Sequence, residues 1–156
     1  MAPKLTALAI AATLAGTLAN AGDLDVVKRF YSDLLTTPSD VTQEQVNSVV
    51  AADWVTTPLG QAGTGAEAFF QTLQGFGVAI PDLVWEPQEI LQDGNRYIVR
   101  SKATGTPAVP FLGVNPPSGK SFEIMSIDIH RVEDGRIVES FHVEDWMRAV
   151  AQLTAE

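Results

Sequence analysis

Residues Ser126 to Trp146 read SIDIHRVEDGRIVESFHVEDW. The centre, Glu133-Asp134-Gly135-Arg136, is a hairpin turn, because Asp-Gly tolerates the positive φ that a two-residue turn demands. On both sides apolar and polar residues alternate with a period of two, which makes the arms β-strands. Both histidines of the chain, His130 and His142, lie on these arms, together with Asp128 and Asp145. With Glu133 facing Arg136, Asp128 falls opposite Phe141, His130 opposite Glu139, and Ile124 opposite Asp145. Directly opposed residues share a face. One face is then expected to carry Ile124, Ser126, Asp128, His130, Phe141, Val143 and Asp145. The other takes Met125, Ile127, Ile129, Val138, Ser140, His142 and Glu144. A bulge would exchange the faces of every residue beyond it.

Upstream of the hairpin the period changes. Leu24, Val27, Tyr31 and Leu34 form a helical stripe widened by Phe30 and Leu35, with Asp23 as N-cap and Thr36 to Ser39 as its end. A shorter helix follows Asp40 and turns Val46, Val49 and Val50 inward. Trp54 to Pro58 is extended. Thr64-Gly65-Ala66-Glu67 has the pattern of a capping box and opens a third helix with Ala66, Phe69, Phe70 and Leu73 inward, ended by Gly75 and Gly77. After Pro81 the period returns to two, with a turn at Asp93-Gly94-Asn95. A Pro- and Gly-rich loop from Gly105 to Lys120 interrupts the sheet, and its Val109, Phe111 and Leu112 suit a segment folded over something. Helices first and a meander afterwards predict an α+β fold, a curved antiparallel sheet wrapped around N-terminal helices.

Bulk properties narrow the function. At 156 residues the chain is one domain with room for a substantial core. A net charge of −9 excludes a nucleic-acid backbone or an anionic membrane surface as partner. There is no cysteine, so thiolate metal sites, disulfides and cysteine nucleophiles are excluded. Residues 1–21 carry one charge, Lys4, then an apolar run and Ala19-Asn20-Ala21, the pattern of a cleaved signal peptide. The expectation is a periplasmic or secreted domain spanning 22–156; an alanine-rich first helix of a cytoplasmic protein is the alternative.

A carboxylate and an imidazole on one apolar-lined strand face can act as general acid and base, since burial raises the carboxylate toward neutrality. Asp128 and His130 are candidates on that ground. A metal site is not expected, because the deduced faces separate His130 from His142. Trp54 and Trp85 are candidate pocket walls. Arg96, Arg100 and Lys102 read as a solvated strand face. The Gly60 to Gly65 stretch lacks the lysine and spacing of a phosphate loop.

In order and spacing the chain resembles the SnoaL-like polyketide cyclases of the nuclear transport factor 2 superfamily. The resemblance rests on Phe30-Tyr31, Gly65, Pro81-Asp82-Leu83, Asp93-Gly94-Asn95-Arg96 and Ala103-Thr104-Gly105-Thr106. It continues through Phe111-Leu112-Gly113, Ile127-Asp128-Ile129, Asp134 to Glu139, and Asp145 with Gln152-Leu153 behind it. It implies a cone-shaped sheet with a deep apolar pocket, no cofactor and no metal. It also implies ring closure by intramolecular aldol chemistry, with a pocket aspartate as acid/base. Asp145 matches that aspartate by position, and Phe141 stands where the family often has tryptophan. Pro107 and Thr57 stand where the family commonly has histidine. The expected site is therefore Asp145, supported by His130 and Asp128, with His142 as alternative partner and Phe141, Trp54, Trp85, Phe30, Tyr31 and Ile124 as walls. The expected ligand is a small apolar carbonyl compound, and the expected assembly a homodimer across the outer sheet face. A non-catalytic exported binding module and an interaction domain remain the other readings.

Overall fold

The helical stripe that starts at Leu24 becomes α1, Ala21–Arg29, in a computed structural model that describes residues 21–58, 63–115 and 118–156. The expected leader, residues 1–21, lies outside the described residues except for Ala21, which opens α1. Asp23 therefore sits in the first turn of the helix, where a carboxylate suits the positive end of the dipole, and is not its N-cap. From Phe30 to Leu35 the backbone widens into π-helical turns. That widening lets two consecutive residues, Phe30 and Tyr31, both point inward with Leu34.

Thr42 caps α2, Gln43–Val49, in a complete capping box with Gln45. Strand β1, Val50–Thr57, follows directly. The third helix, α3, runs from Gly65 to Ala79 with Ala66, Phe69 and Leu73 buried. Its N-cap is Thr64, but the threonine side chain makes no capping bond, so the expected box is not formed. Nor do Gly75 and Gly77 end the helix. Gly77 is needed where α3 crosses the turn Pro38–Asp40, because a Cβ there would lie 2.6 Å from the Ser39 backbone nitrogen. Close approach has overridden poor helix propensity.

The sheet is built by β2 (Val84–Asp93), β3 (Arg96–Gly105), β4 (Phe122–Glu133) and β5 (Arg136–Glu144), in the order β1-β5-β4-β3-β2. Pairing is antiparallel throughout except at one edge, where β1 runs parallel to β5. The meander was expected to be wholly antiparallel; the parallel edge arises because α3 lies between β1 and the meander and returns the chain to the far side of the sheet. Helix α4, Trp146–Thr154, closes the chain against β4. Helices cover one sheet face and bury Val27, Leu34, Leu73, Tyr97, Phe122 and Ile137. Truncating a fully buried residue such as Leu73 to alanine costs about 2–5 kcal/mol. The loop after β3 does fold inward, since Phe111 packs on Phe122 and Trp146.

The hairpin register departs from a uniform ladder. Glu133 pairs with Arg136 and Val132 with Ile137, as the Asp134-Gly135 turn requires; both turn residues have positive φ. Arg131 then pairs with Glu139, so Val138 is an extra residue on β5. Beyond this bulge Asp128 faces His142 and Ser126 faces Glu144. Ser140, His142 and Glu144 therefore join the face of Asp128 and His130, while Phe141 and Val143 move to the outside. The expected pairing of Asp128 with Phe141 and the separation of the two histidines are both overturned.

Candidate active site

Between the inner sheet face, the π-helical turns Phe30–Leu35 and helix α3 lies a cavity of about 110 Å³. Its apolar walls are Phe30, Trp54, Phe69, Leu73, Phe76 and Trp85, and its polar end is made by Asp128, His130, Ser140 and His142 with Thr56 and Glu144. Alternation on two neighbouring strands puts the polar groups together: 126, 128 and 130 on β4, and 140, 142 and 144 on β5 past the bulge.

Asp128 is buried and is the hub of a hydrogen-bond network. Its Oδ2 accepts from Tyr31 Oη at 3.0 Å and from Ser126 Oγ at 3.2 Å. Ser126 in turn accepts from Trp85 Nε1 at 3.0 Å. On the other side Trp54 Nε1 donates to Ser140 Oγ at 3.0 Å, Ser140 Oγ lies 2.7 Å from His130 Nδ1, and His130 Nε2 lies 2.9 Å from Tyr31 Oη. An indole N–H can only donate, which gives this chain a direction. Tyr31 spends its proton on the carboxylate, so it accepts from His130 Nε2–H; the bare Nδ1 then accepts from Ser140. Both routes end on Oδ2. Oδ1 has no partner among the described residues and is the oxygen left for the cavity.

Burial raises the Asp128 carboxyl to about 6, helped by the nearby Glu144 charge, while the Tyr31 hydrogen bond holds it from going higher. Burial also pushes His130 down to about 3, so its ring is neutral at any ordinary pH. Burial and the Asp128 carboxylate together hold the Tyr31 phenol well above its usual value, so it keeps its proton. His142 goes the other way: Glu144 accepts from its Nδ1 at 2.8 Å and raises its pKa, and Nε2 lies 3.3 Å from the Pro58 carbonyl.

Of the residues picked from the sequence, Asp128, His130, His142, Phe30, Trp54 and Trp85 line the cavity. Tyr31 stands behind the carboxylate, and Ile124 is buried in the core beyond it. Phe141 is on the outer face, 40% exposed. Asp145 is also outside the cavity: it is exposed and caps α4, its side chain accepting from the Arg148 N–H. The expected place of Asp145 in the pocket is corrected, because orphan N–H groups at a helix start claim a carboxylate that follows a strand. Ser126, Ser140, Glu144 and Thr56 were not singled out from the sequence; a serine two residues from an acid or a histidine on a strand was the available signal. Among the described residues no cluster of three or more His, Asp or Glu is placed to hold a metal ion. Arg96, Arg100 and Lys102 pair with Glu139, Glu89 and Glu86 on the outer face.

The model for SnoaL-like polyketide cyclase matches residues 25–153. The chain is similar in structure to TsrD from Streptomyces laurentii, with a TM-score of 0.75 at 21% identity over 89% of this chain and 99% of that one. It is similar to wild-type IdmH from Streptomyces antibioticus, a proposed polyketide cyclase, with a TM-score of 0.71 at 31% identity over 84% and 97%. AclR from Streptomyces galilaeus, a proposed hydroxylase, shares the fold at 21% identity and a TM-score of 0.63, over 85% and 78%. Among curated proteins no sequence matches it.

Proposed function

Because the chain belongs to the SnoaL-like polyketide cyclase family, we propose that it is an enzyme of cyclase or isomerase type that moves protons on a small apolar carbonyl compound, using its own side chains and no cofactor. The observation that carries this reading is Asp128: a carboxyl at the polar end of an apolar cavity, with Oδ2 held by two hydroxyls and Oδ1 unpartnered among the described residues. A carboxyl near 6 is half-ionised just below neutral pH, where a general base and its conjugate acid are both available. Oδ1 takes a proton from the carbon next to the carbonyl, and the C–H electron pair moves into the enolate. Returning the proton to another carbon isomerises the compound. If the enolate carbon first attacks a second carbonyl of the same molecule, the proton goes to the new alkoxide and a ring is closed. The walls Phe30, Trp54, Phe69 and Trp85 favour flat, ring-bearing ligands through burial of apolar surface.

The test is deuterium exchange into phenylacetone in D2O, followed by NMR. Wild type should accelerate exchange with a midpoint near pH 6, and Asp128→Asn should lose about 10²–10⁴-fold of that acceleration. Equal rates in the two proteins would remove Asp128 from the reaction.

Two further statements belong to the same reading. A second copy of the chain covers the outer sheet face, where Leu91, Ile98, Ile129 and Phe141 form one continuous row across four strands. Export is supported by the leader pattern of residues 1–21; no helix among the described residues is long and apolar enough to cross a membrane. Mass spectrometry of the mature protein should find Gly22 at its N-terminus, and an intact leader on the functional protein would contradict export.

A further inference from the structure

Thr56 is 7% exposed and lies on the inner face of β1, in register with Ser140 of β5. Its hydroxyl has no hydrogen-bond partner among the described residues. Of the three buried side-chain polar atoms in that condition, belonging to Gln43, Thr56 and Ser101, only Thr56 belongs to the cavity lining. An unpaired buried hydroxyl costs about 1–3 kcal/mol, so a place for it in the cavity wall has to be explained. His142 lies two residues beyond Ser140 on the same face of β5 and also lines the cavity. Its ring is fixed by the short bond to Glu144 on one side, and on the other holds only a long contact to the Pro58 carbonyl.

We propose that Thr56 on β1 and His142 on β5, the strand next to that of Asp128, form a subsite for an anionic ligand oxygen, the enolate oxygen of a carbonyl substrate. This rests on the acid/base reading of Asp128 and names the substrate class it serves: compounds whose carbonyl becomes an enolate while its oxygen stays within reach of the Thr56 hydroxyl. Charge balance requires the two halves to act together. The groups facing His142 are Glu144 on its own strand, Asp128 and His130 on β4, and the Pro58 carbonyl at the end of β1. With Asp128 ionised, its negative charge stands in the cavity beside that of Glu144, and an anionic oxygen is repelled. Once Asp128 has taken the substrate proton, that charge is gone from the carboxylate and resides on the ligand oxygen. The hydroxyl and the His142 ring, whose protonated form Glu144 favours, then stabilise the state reached after proton transfer more than the one before it, which is what lowers a barrier.

The test uses the full chain and 4-nitrophenol, a flat ring with one ionisable oxygen whose absorbance reports its charge. Binding and ionisation are read at equilibrium, so the outcome does not depend on turnover. Wild type should bind the phenolate best where Asp128 is neutral and lose it as the pH rises past about 6. Asp128→Asn should bind it about tenfold tighter than wild type above that pH, even though it is inactive in exchange. Thr56→Val should bind phenolate about tenfold more weakly than Thr56 with either residue at 128, while melting at the same temperature or higher, since it removes an unpaired hydroxyl. A Thr56→Val that melts lower and binds phenolate unchanged would overturn the subsite and make Thr56 structural. Phenolate affinity that is unaltered in His142→Gln would overturn the part played by the His142 ring. If exchange fails in every protein while these binding differences hold, the acid/base reading falls and the subsite stands.

Discussion

Asp128 and His142 face each other directly across β4 and β5, and they do so because of one extra residue, Val138. Without the bulge a uniform ladder would place Phe141 opposite Asp128 and turn His142 to the outside. The bulge gathers on one face an imidazole held neutral by burial, a second imidazole whose pKa Glu144 raises, and a carboxyl raised by burial, each with a different partner. Bulges are found where a strand has to re-aim a side chain, and this one re-aims three.

The two histidines should be distinguishable by NMR. His130 is expected to stay neutral until the pH approaches 3, with its proton on Nε2, because burial opposes the charge and Ser140 donates to Nδ1. His142 should titrate above the ordinary 6.5, because Glu144 holds the proton on Nδ1. Nitrogen chemical shifts across a pH series check both. Two histidines titrating together near 6.5 would show that the polar end is hydrated.

Tyr31→Phe removes a hydroxyl that donates to Asp128 and accepts from His130. Two buried groups lose a partner, so the variant should be less stable by about 1–3 kcal/mol. The carboxylate also loses a bond that favours its charged form, so its pKa should move above the wild-type value of about 6. The exchange profile reads that movement directly. A profile unmoved to alkaline pH would show that the phenol does not hold the carboxylate.

Most of the fold was legible because its signals are local. The stripe through Val27, Tyr31 and Leu34, the period of two in Tyr97, Val99 and Ser101, and the Asp134-Gly135 turn each specify their element from neighbouring residues. The parallel edge was not legible, since nothing within Val50–Thr57 says which strand it will join. The helix through Gly75 and Gly77 was misjudged for a similar reason: the contact that favours Gly77 is with Ser39, far away in sequence. The site was half legible. Residue types pointed to Asp128 and His130, but the choice between Asp145 and Asp128 turned on one bulge, which has no sequence signature, and on one helix cap, whose signature is an aspartate just before the helix that starts at Trp146. Thr56 was passed over because an unpaired hydroxyl is recognisable only once its neighbours are known.

The outer sheet face gives a prediction about assembly. Phe141, 40% exposed, ends the row through Ile129, Ile98 and Leu91; Val143, 63% exposed, pairs with Ile127 beside that row, and Met125, 51% exposed, lies beyond Ile127 on β4. Such a patch on one sheet face needs a partner. Light scattering at micromolar concentration should give twice the chain mass, and Phe141→Lys should give a monomer with the cavity intact. A wild-type monomer would leave the patch free for another partner and refute the dimer.

The last prediction concerns stability and pH. Asp128 ionises at 3.8 in an unfolded chain and at about 6 when folded, because burial penalises its charge. The fold therefore favours the neutral acid. The stability Asp128 contributes is complete below pH 3.8 and is lost as the pH rises through about 6, a change on the order of 3 kcal/mol. His130 and His142 also titrate between the folded and unfolded states, in opposite directions, so the wild-type curve alone cannot isolate the carboxyl. Asp128→Asn can, because it keeps the shape of the neutral acid and both histidines. The stability of wild type minus that of Asp128→Asn, from urea unfolding at each pH, should fall between pH 4 and pH 7 and be flat on either side. A difference that rises over this interval would mean that the carboxylate is stabilised as an anion. The unpartnered Oδ1 would then be satisfied by the fold, and the acid/base reading would lose its main support.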